Sequence, residues 1–196
     1  MRHWWMALLA GLLLTVSAGA VDLAEDGFGA PAGYVALTFD DGPSGPITEA
    51  LLDGLRDRNA RATFFLCGYR MDDYPSPLSR YVSEGHELGV HSTAHVDLTT
   101  LSRAEVHRDM KDTAQRIFIA AGVRPKLMRP PGGAYDDMVR QEAADEGMSL
   151  ILWSVDPRDW ATRDTAAVLS TMASAASDGD IVLMHDMSES SVQAAL

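Results

Sequence analysis

The sequence predicts an α/β fold built on a parallel sheet, and three observations carry that expectation. Short apolar runs of strand length alternate with helical patterns, the runs are near-continuously apolar, and polar residues capable of chemistry recur where they end. Alternation of strand and helix implies parallel pairing, and continuously apolar strands imply a sheet covered on both faces or closed into a barrel. A chain of 196 residues, 46% hydrophobic and 22% charged, suits one domain around one substantial core.

Each element follows from local pattern. The run at 34–39 leads into Asp40-Asp41-Gly42 and is followed by a helical pattern at 46–57. The aromatic run at 62–67 is a second strand, then a helix at 76–84 and a third strand at 87–91 that ends in His91. The clearest helix covers 102–121: Ser102 and Glu105 have capping-box spacing, Val106, Met110, Ala114, Ile117 and Ala121 line one face, and Gly122 stops it. A strand at 126–129 ends in Arg129, a helix covers 136–146, and a strand at 149–155 precedes Asp156. A helix at 164–176 and a strand at 181–185, ending in His185, complete the alternation. In parallel barrels the active site is assembled at this carboxyl-terminal rim. Ser191 to Leu196 reads as the opening of another helix, and a barrel lacking its last helix and strand would expose an apolar seam and an unpaired edge. The domain is therefore expected to be C-terminally truncated, without repeats, low-complexity tracts or interior linkers.

The first twenty residues differ in kind from the rest. Arg2 is their only formal charge, an apolar run extends from Trp4 to Val16, and Ala18-Gly19-Ala20 is a small-x-small exit. This reads as a secretory signal at 1–20, cleaved after Ala20, with an uncleaved membrane anchor as the alternative because the stretch approaches the ~20 residues that span a bilayer. Either places the domain outside the cytoplasm, secreted or held at the cell envelope. Residues 21–33, with four glycines and prolines and no periodicity, read as a linker ahead of a domain at 34–196. A formal charge of −12 argues against a nucleic-acid partner, which needs clustered Lys and Arg. Cys67 is the sole cysteine, so no internal disulfide can form, and its apolar run marks it as a core thiol.

Two carboxylates in Thr38-Phe39-Asp40-Asp41-Gly42 and two imidazoles in His91-Ser92-Thr93-Ala94-His95 stand out. One carboxylate with two imidazoles makes a three-ligand set for a catalytic divalent metal and leaves the other carboxylate free as a base. Adjacent residues of an extended strand point to opposite sides, so Asp40 and Asp41 are expected to address different parts of the pocket. Four-residue spacing lets His91 and His95 converge on one ion. His185 arrives at a strand end, where an imidazole can pass a proton to a leaving group. Arg129 is a cation fixed by Pro130 and Pro131, and near Asp40 it would hold that carboxylate ionised. Asp156-Pro157-Arg158-Asp159-Trp160 adds a carboxylate able to hold His185 in one tautomer and an aromatic wall suited to a sugar face. His86 and His107 read as turn and helix-surface residues.

The order of these motifs resembles the polysaccharide deacetylases, the NodB-homology or family 4 carbohydrate esterases. Five motifs stand in register: Thr-Phe-Asp-Asp-Gly at 38–42, His-Ser-Thr-Ala-His at 91–95, Arg-Pro-Pro-Gly-Gly at 129–133, Asp-Pro-Arg-Asp-Trp at 156–160 and Leu-Met-His at 183–185. The resemblance implies a distorted (β/α) barrel with Asp40 as general base, His185 as general acid, and Asp41, His91 and His95 as metal ligands. It further implies that Arg129 orients Asp40, that Asp159 pairs with His185, that Ser92 braces the metal loop, and that Trp160 and Leu183 wall an acetyl pocket. Gly132 stands where many relatives carry tyrosine; it keeps a backbone donor, and Tyr135 nearby is the candidate to replace the missing wall. One divalent cation is expected, zinc first, with cobalt, nickel and manganese acceptable to the same ligands. The expected activity is removal of N-acetyl groups from peptidoglycan or a chitin-like glycan by a monomer. The alternatives are an O-acetyl esterase of the xylan type and a non-catalytic glycan-binding relative.

Overall fold

A computed structural model describes residues 33–196; the signal expected at 1–20 and nearly all of the linker expected at 21–33 lie outside the described residues. Among the described residues no helix is long and apolar enough to cross a membrane. The chain alternates as expected. It begins with β1 (Ala36–Asp40), α1 (Pro46–Asp57), β2 (Thr63–Leu66), α2 (Gly68–Asp73), α3 (Leu78–Ser83) and β3 (Glu87–Val90). There follow α4 (Arg103–Ala121), β4 (Leu127–Met128), α5 (Asp137–Asp145), β5 (Ser149–Leu150), α6 (Asp159–Thr162), α7 (Thr165–Ala175), β6 (Ile181–His185) and α8 (Glu189–Ala195).

The six strands pair in parallel in the order β5-β4-β3-β2-β1-β6 and curl into a half-barrel. The run expected as one strand at 149–155 divides: Ser149 and Leu150 pair with β4, whereas Val155 bridges to Val182 on the outer edge of β6. Val155 N–H donates to Ile181 O at 3.1 Å and accepts, through its carbonyl, the Leu183 N–H at 2.9 Å. One segment thus touches both edges, and the curl of the sheet is what breaks the expected strand.

Pleat alternation sorts the strand residues into two environments. Phe39 and Phe64 point toward the covering helices, where their rings stack at 5.3 Å. Thr38 and Asp40 point into the barrel, both almost fully buried. The helices bury their apolar stripes: α4 contributes Val106, Met110 and Ile117, and Gly122 ends it in the left-handed conformation at φ 76. Gly89 has a packing reason, since a Cβ there would lie 2.4 Å from the Phe65 ring. His86 closes the turn between α3 and β3, as expected, its N–H donating to Tyr81 O at 2.8 Å. It is buried, its Nδ1 accepts the Ala62 N–H at 3.2 Å, and its ring meets Phe64 edge-on. His107 does sit on the surface of α4, beside Glu142 and Glu146.

Candidate metal centre and catalytic cavity

β1 ends at Asp40, and Asp41 takes a left-handed backbone at φ 71. That rotation cancels the strand alternation, so the two carboxylates do not diverge as expected: Asp40 Oδ2 lies 3.6 Å and Asp41 Oδ1 3.3 Å from the same atom, His91 Nε2. His95 Nε2 is 3.1 Å from the same Asp41 oxygen. The histidine loop is bent by positive φ at Ser92 (66) and His95 (52), a conformation non-glycine residues hold only when their surroundings over-determine it.

These residues fit a divalent cation. His91 Nδ1 lies 2.7 Å from the Arg129 carbonyl oxygen, which accepts and therefore places the ring proton on Nδ1. Nε2 is then a bare lone pair facing a carboxylate oxygen, a repulsive arrangement unless a cation lies between them. Asp41 Oδ1 is buried without a hydrogen-bond partner among the described residues. One donor atom from each of Asp41, His91 and His95 falls within 4.8 Å of the others. Ligands at about 2.0–2.2 Å from a tetrahedral ion stand about 3.3–3.6 Å apart, and the two carboxylate–imidazole distances here, 3.3 and 3.1 Å, lie at or just below the short end of that range. Burial works against the Asp41 charge, but the flanking imidazoles outweigh it and hold that carboxyl well below the usual range; the same contact raises His95.

Asp40 is gripped from the other side. Arg129 leaves β4 and crosses the barrel interior, where Nη1 donates to Asp40 Oδ1 at 2.8 Å and to Thr38 Oγ1 at 2.7 Å. Nε and Nη2 donate to the Ile151 and Leu152 carbonyls at 3.2 and 3.0 Å. The guanidinium lies 4.2 Å from the Phe65 ring centroid and 5.5 Å from that of Trp153. Asp40 Oδ2 is left toward the cavity.

His185 sits on β6 directly beside Asp40, the two being register partners across the β1–β6 pair. Asp159, at the start of α6, holds it twice: Oδ2 accepts the His185 backbone N–H at 2.8 Å and Oδ1 accepts from ring Nδ1 at 2.9 Å. Nε2 is the ring's remaining nitrogen. Burial would depress this imidazole, but the Asp159 contacts outweigh burial and raise it above its ordinary value.

A cavity of about 400 Å³ joins these groups: Asp40, Asp41, His91, His95 and His185 line it with Gly132, Trp153, Asp156, Trp160 and Leu183. Of the expected wall residues, Gly132, Trp160 and Leu183 therefore reach the cavity, whereas Tyr135 is 44% exposed and does not line it. Trp153 is the wall that the sequence reading missed. It falls within the strand-like run at 149–155, and its only signal is indirect: Gly133, where a Cβ would come within 2.9 Å of the Trp153 ring. A left-handed φ of 62 at Gly132 and open space at its Cβ position leave backbone beside the cavity.

A parallel half-barrel with two imidazoles and one carboxylate clustered at its rim, beside Asp40 and His185, defines a class of α/β half-barrels. Within that class, the chain belongs to the polysaccharide deacetylase family, whose model matches residues 29–151. It is 42% identical over 153 residues to a peptidoglycan-N-acetylglucosamine deacetylase of Listeria monocytogenes, an alignment covering 78% of this chain and 32% of that protein. This chain thus spans about a third of the length of that relative. It is 37% identical over 165 residues to a chitooligosaccharide deacetylase of Sinorhizobium fredii, covering 83% of this chain and 75% of that one. Its fold matches the peptidoglycan deacetylase PdaC structure from Bacillus subtilis with a TM-score of 0.79, at 39% identity over 84% of this chain and 80% of that chain.

Proposed function

We propose that this chain removes N-acetyl groups from N-acetylglucosamine units of peptidoglycan or a chitin-like glycan, using one divalent cation. The observation that carries the reading is the facing of Asp40 and His185 at one level of the β1–β6 pair, beside the Asp41–His91–His95 cluster. A cation on those three residues would supply Lewis acidity toward the acyl oxygen and toward water. Zinc is the proposed ion, and cobalt, nickel or manganese fit the same donors.

The chain's own groups then divide the proton work. Asp40, held through Oδ1 by Arg129, accepts the proton of the attacking water at Oδ2. His185, held by Asp159, gives a proton to the departing amine nitrogen, which an amide needs before its C–N bond can break. Gly132, which lines the cavity, would offer its N–H to developing charge on the acyl oxygen. Leu183, Trp153 and Trp160 exclude water and offer apolar and aromatic faces to acetyl group and sugar. Names of the relatives favour a cell-wall setting, and with it we propose 1–20 as an export signal, 21–33 as a linker and 34–196 as a deacetylase domain acting as a monomer.

The test is Asp40→Asn. Acetate release from peptidoglycan should fall by ~10²–10⁴ while metal content is unchanged; undiminished turnover would remove Asp40 from its role as base.

A further inference from the structure

The histidine loop is anchored by a residue outside every motif discussed above. Asp109 lies nearly two turns into α4, and its carboxylate accepts the Thr93 backbone N–H at 3.1 and 3.0 Å and the Ser92 hydroxyl at 3.1 Å. Its carbonyl accepts the Thr93 hydroxyl, also at 3.1 Å, and Thr113, four residues along α4, meets that hydroxyl at 2.8 Å. The opposite side of the loop is tied by the first amides of α2: Gly68 N–H donates to Ser92 O at 3.1 Å and Tyr69 N–H to Thr93 O at 2.8 Å. Gly68 allows this approach, since a Cβ there would lie 2.9 Å from Thr93 Cα.

The anchored residues sit between the two imidazoles. Ser92 and His95 carry the left-handed backbone that turns His91 and His95 onto one Asp41 oxygen. Each such conformation is unfavourable for a residue with a side chain and persists only where contacts fix it. Apart from the Ser92 hydroxyl's long contact to Val96 N–H at 3.4 Å, the loop's polar contacts on the α4 side run to Asp109 or to its near neighbours Asp112 and Thr113.

We propose that Asp109 is a positioning residue for the metal loop, setting the separation of His91 and His95 by clamping Ser92 and Thr93 against α4. It touches neither substrate nor cation and acts through the backbone of the loop. The inference rests on the reading of Asp41, His91 and His95 as ligands. Partners that orient metal ligands typically contribute 10–100-fold to metal affinity.

The test is cobalt binding to the purified chain, read by calorimetry and by the visible absorption band. Asp41→Ala checks the ligand reading itself, Asp109→Ala and the near-isosteric Asp109→Asn check the clamp, and Met110→Ala weakens the same helix from its core side without touching the loop. Asp109→Ala should bind cobalt ~10–100-fold more weakly with an altered band, Asp109→Asn should fall between it and wild type, and Met110→Ala should keep wild-type affinity despite a lower Tm. If Asp109→Ala does not fold, Asp109→Asn decides. Wild-type affinity and band in folded Asp109 variants would overturn the clamp alone. Absence of cobalt binding in the wild type, or its survival in Asp41→Ala, would overturn the ligand reading and the clamp with it.

Discussion

Arg129 Nη1 donates to Asp40 Oδ1 at 2.8 Å, and the two side chains are among the most buried charges in the protein. The same residue's carbonyl fixes the tautomer of His91, so one residue orders both the proposed base and a proposed metal ligand.

Arg129→Met should leave the Asp40 carboxylate buried and unpaired, at a stability loss of about 3–5 kcal/mol in urea denaturation, with acetate release near background. Arg129→Lys keeps a charge but cannot reproduce the fork to Asp40, Ile151 and Leu152, so it should rescue stability only in part. A variant within 1 kcal/mol of wild type would show that this pair does not matter to the fold.

The pH profile should report His185. Its imidazole is raised, burial being outweighed by Asp159, so it stays protonated to a higher pH than a free histidine, and kcat/KM should fall on the alkaline side as pH passes the raised value. Asp159→Asn should move that limb to lower pH, with about tenfold less turnover above it for each pH unit of displacement. The stability contribution has the matching sign: complete below His185's ordinary value near 6.5 and lost as pH rises through the folded value. An alkaline limb that ignores Asp159→Asn would contradict the assignment of His185 as acid.

Asp186 gives a stability prediction independent of catalysis. Fully buried and accepting from Thr48, it is pushed by burial from its ordinary 3.8 up to about 6. Its favourable contribution is complete below its unfolded value and lost as pH rises through about 6. Asp186→Asn keeps the acceptor for Thr48 and removes the charge, so it should be more stable than wild type at pH 8 by on the order of 3 kcal/mol, with little difference at pH 4. Parallel urea midpoints of the two proteins across that range would contradict this.

Much of this architecture was legible in the residues. The helix at 46–57 and the Gly122 stop of α4 follow from local pattern, and chemistry at strand ends follows from parallel topology. What escaped were features set by distant contacts. The run at 149–155 breaks because the sheet's curl carries it from β4 to β6, and Asp41 leaves the strand alternation by a backbone rotation that periodicity does not encode. The short helices α2 and α6 hold too few residues to show a period. Asp109 looked like one more charge on an amphipathic helix; only the folded chain brings it beneath Thr93.

The most direct measurement is acetate release from N-acetylglucosamine oligomers and from purified peptidoglycan, with and without a chelator. The account predicts acetate in step with new free amines, abolished by the chelator and restored by zinc or cobalt. Release that is indifferent to metal removal, or no release from either glycan by the metal-loaded protein, would contradict it.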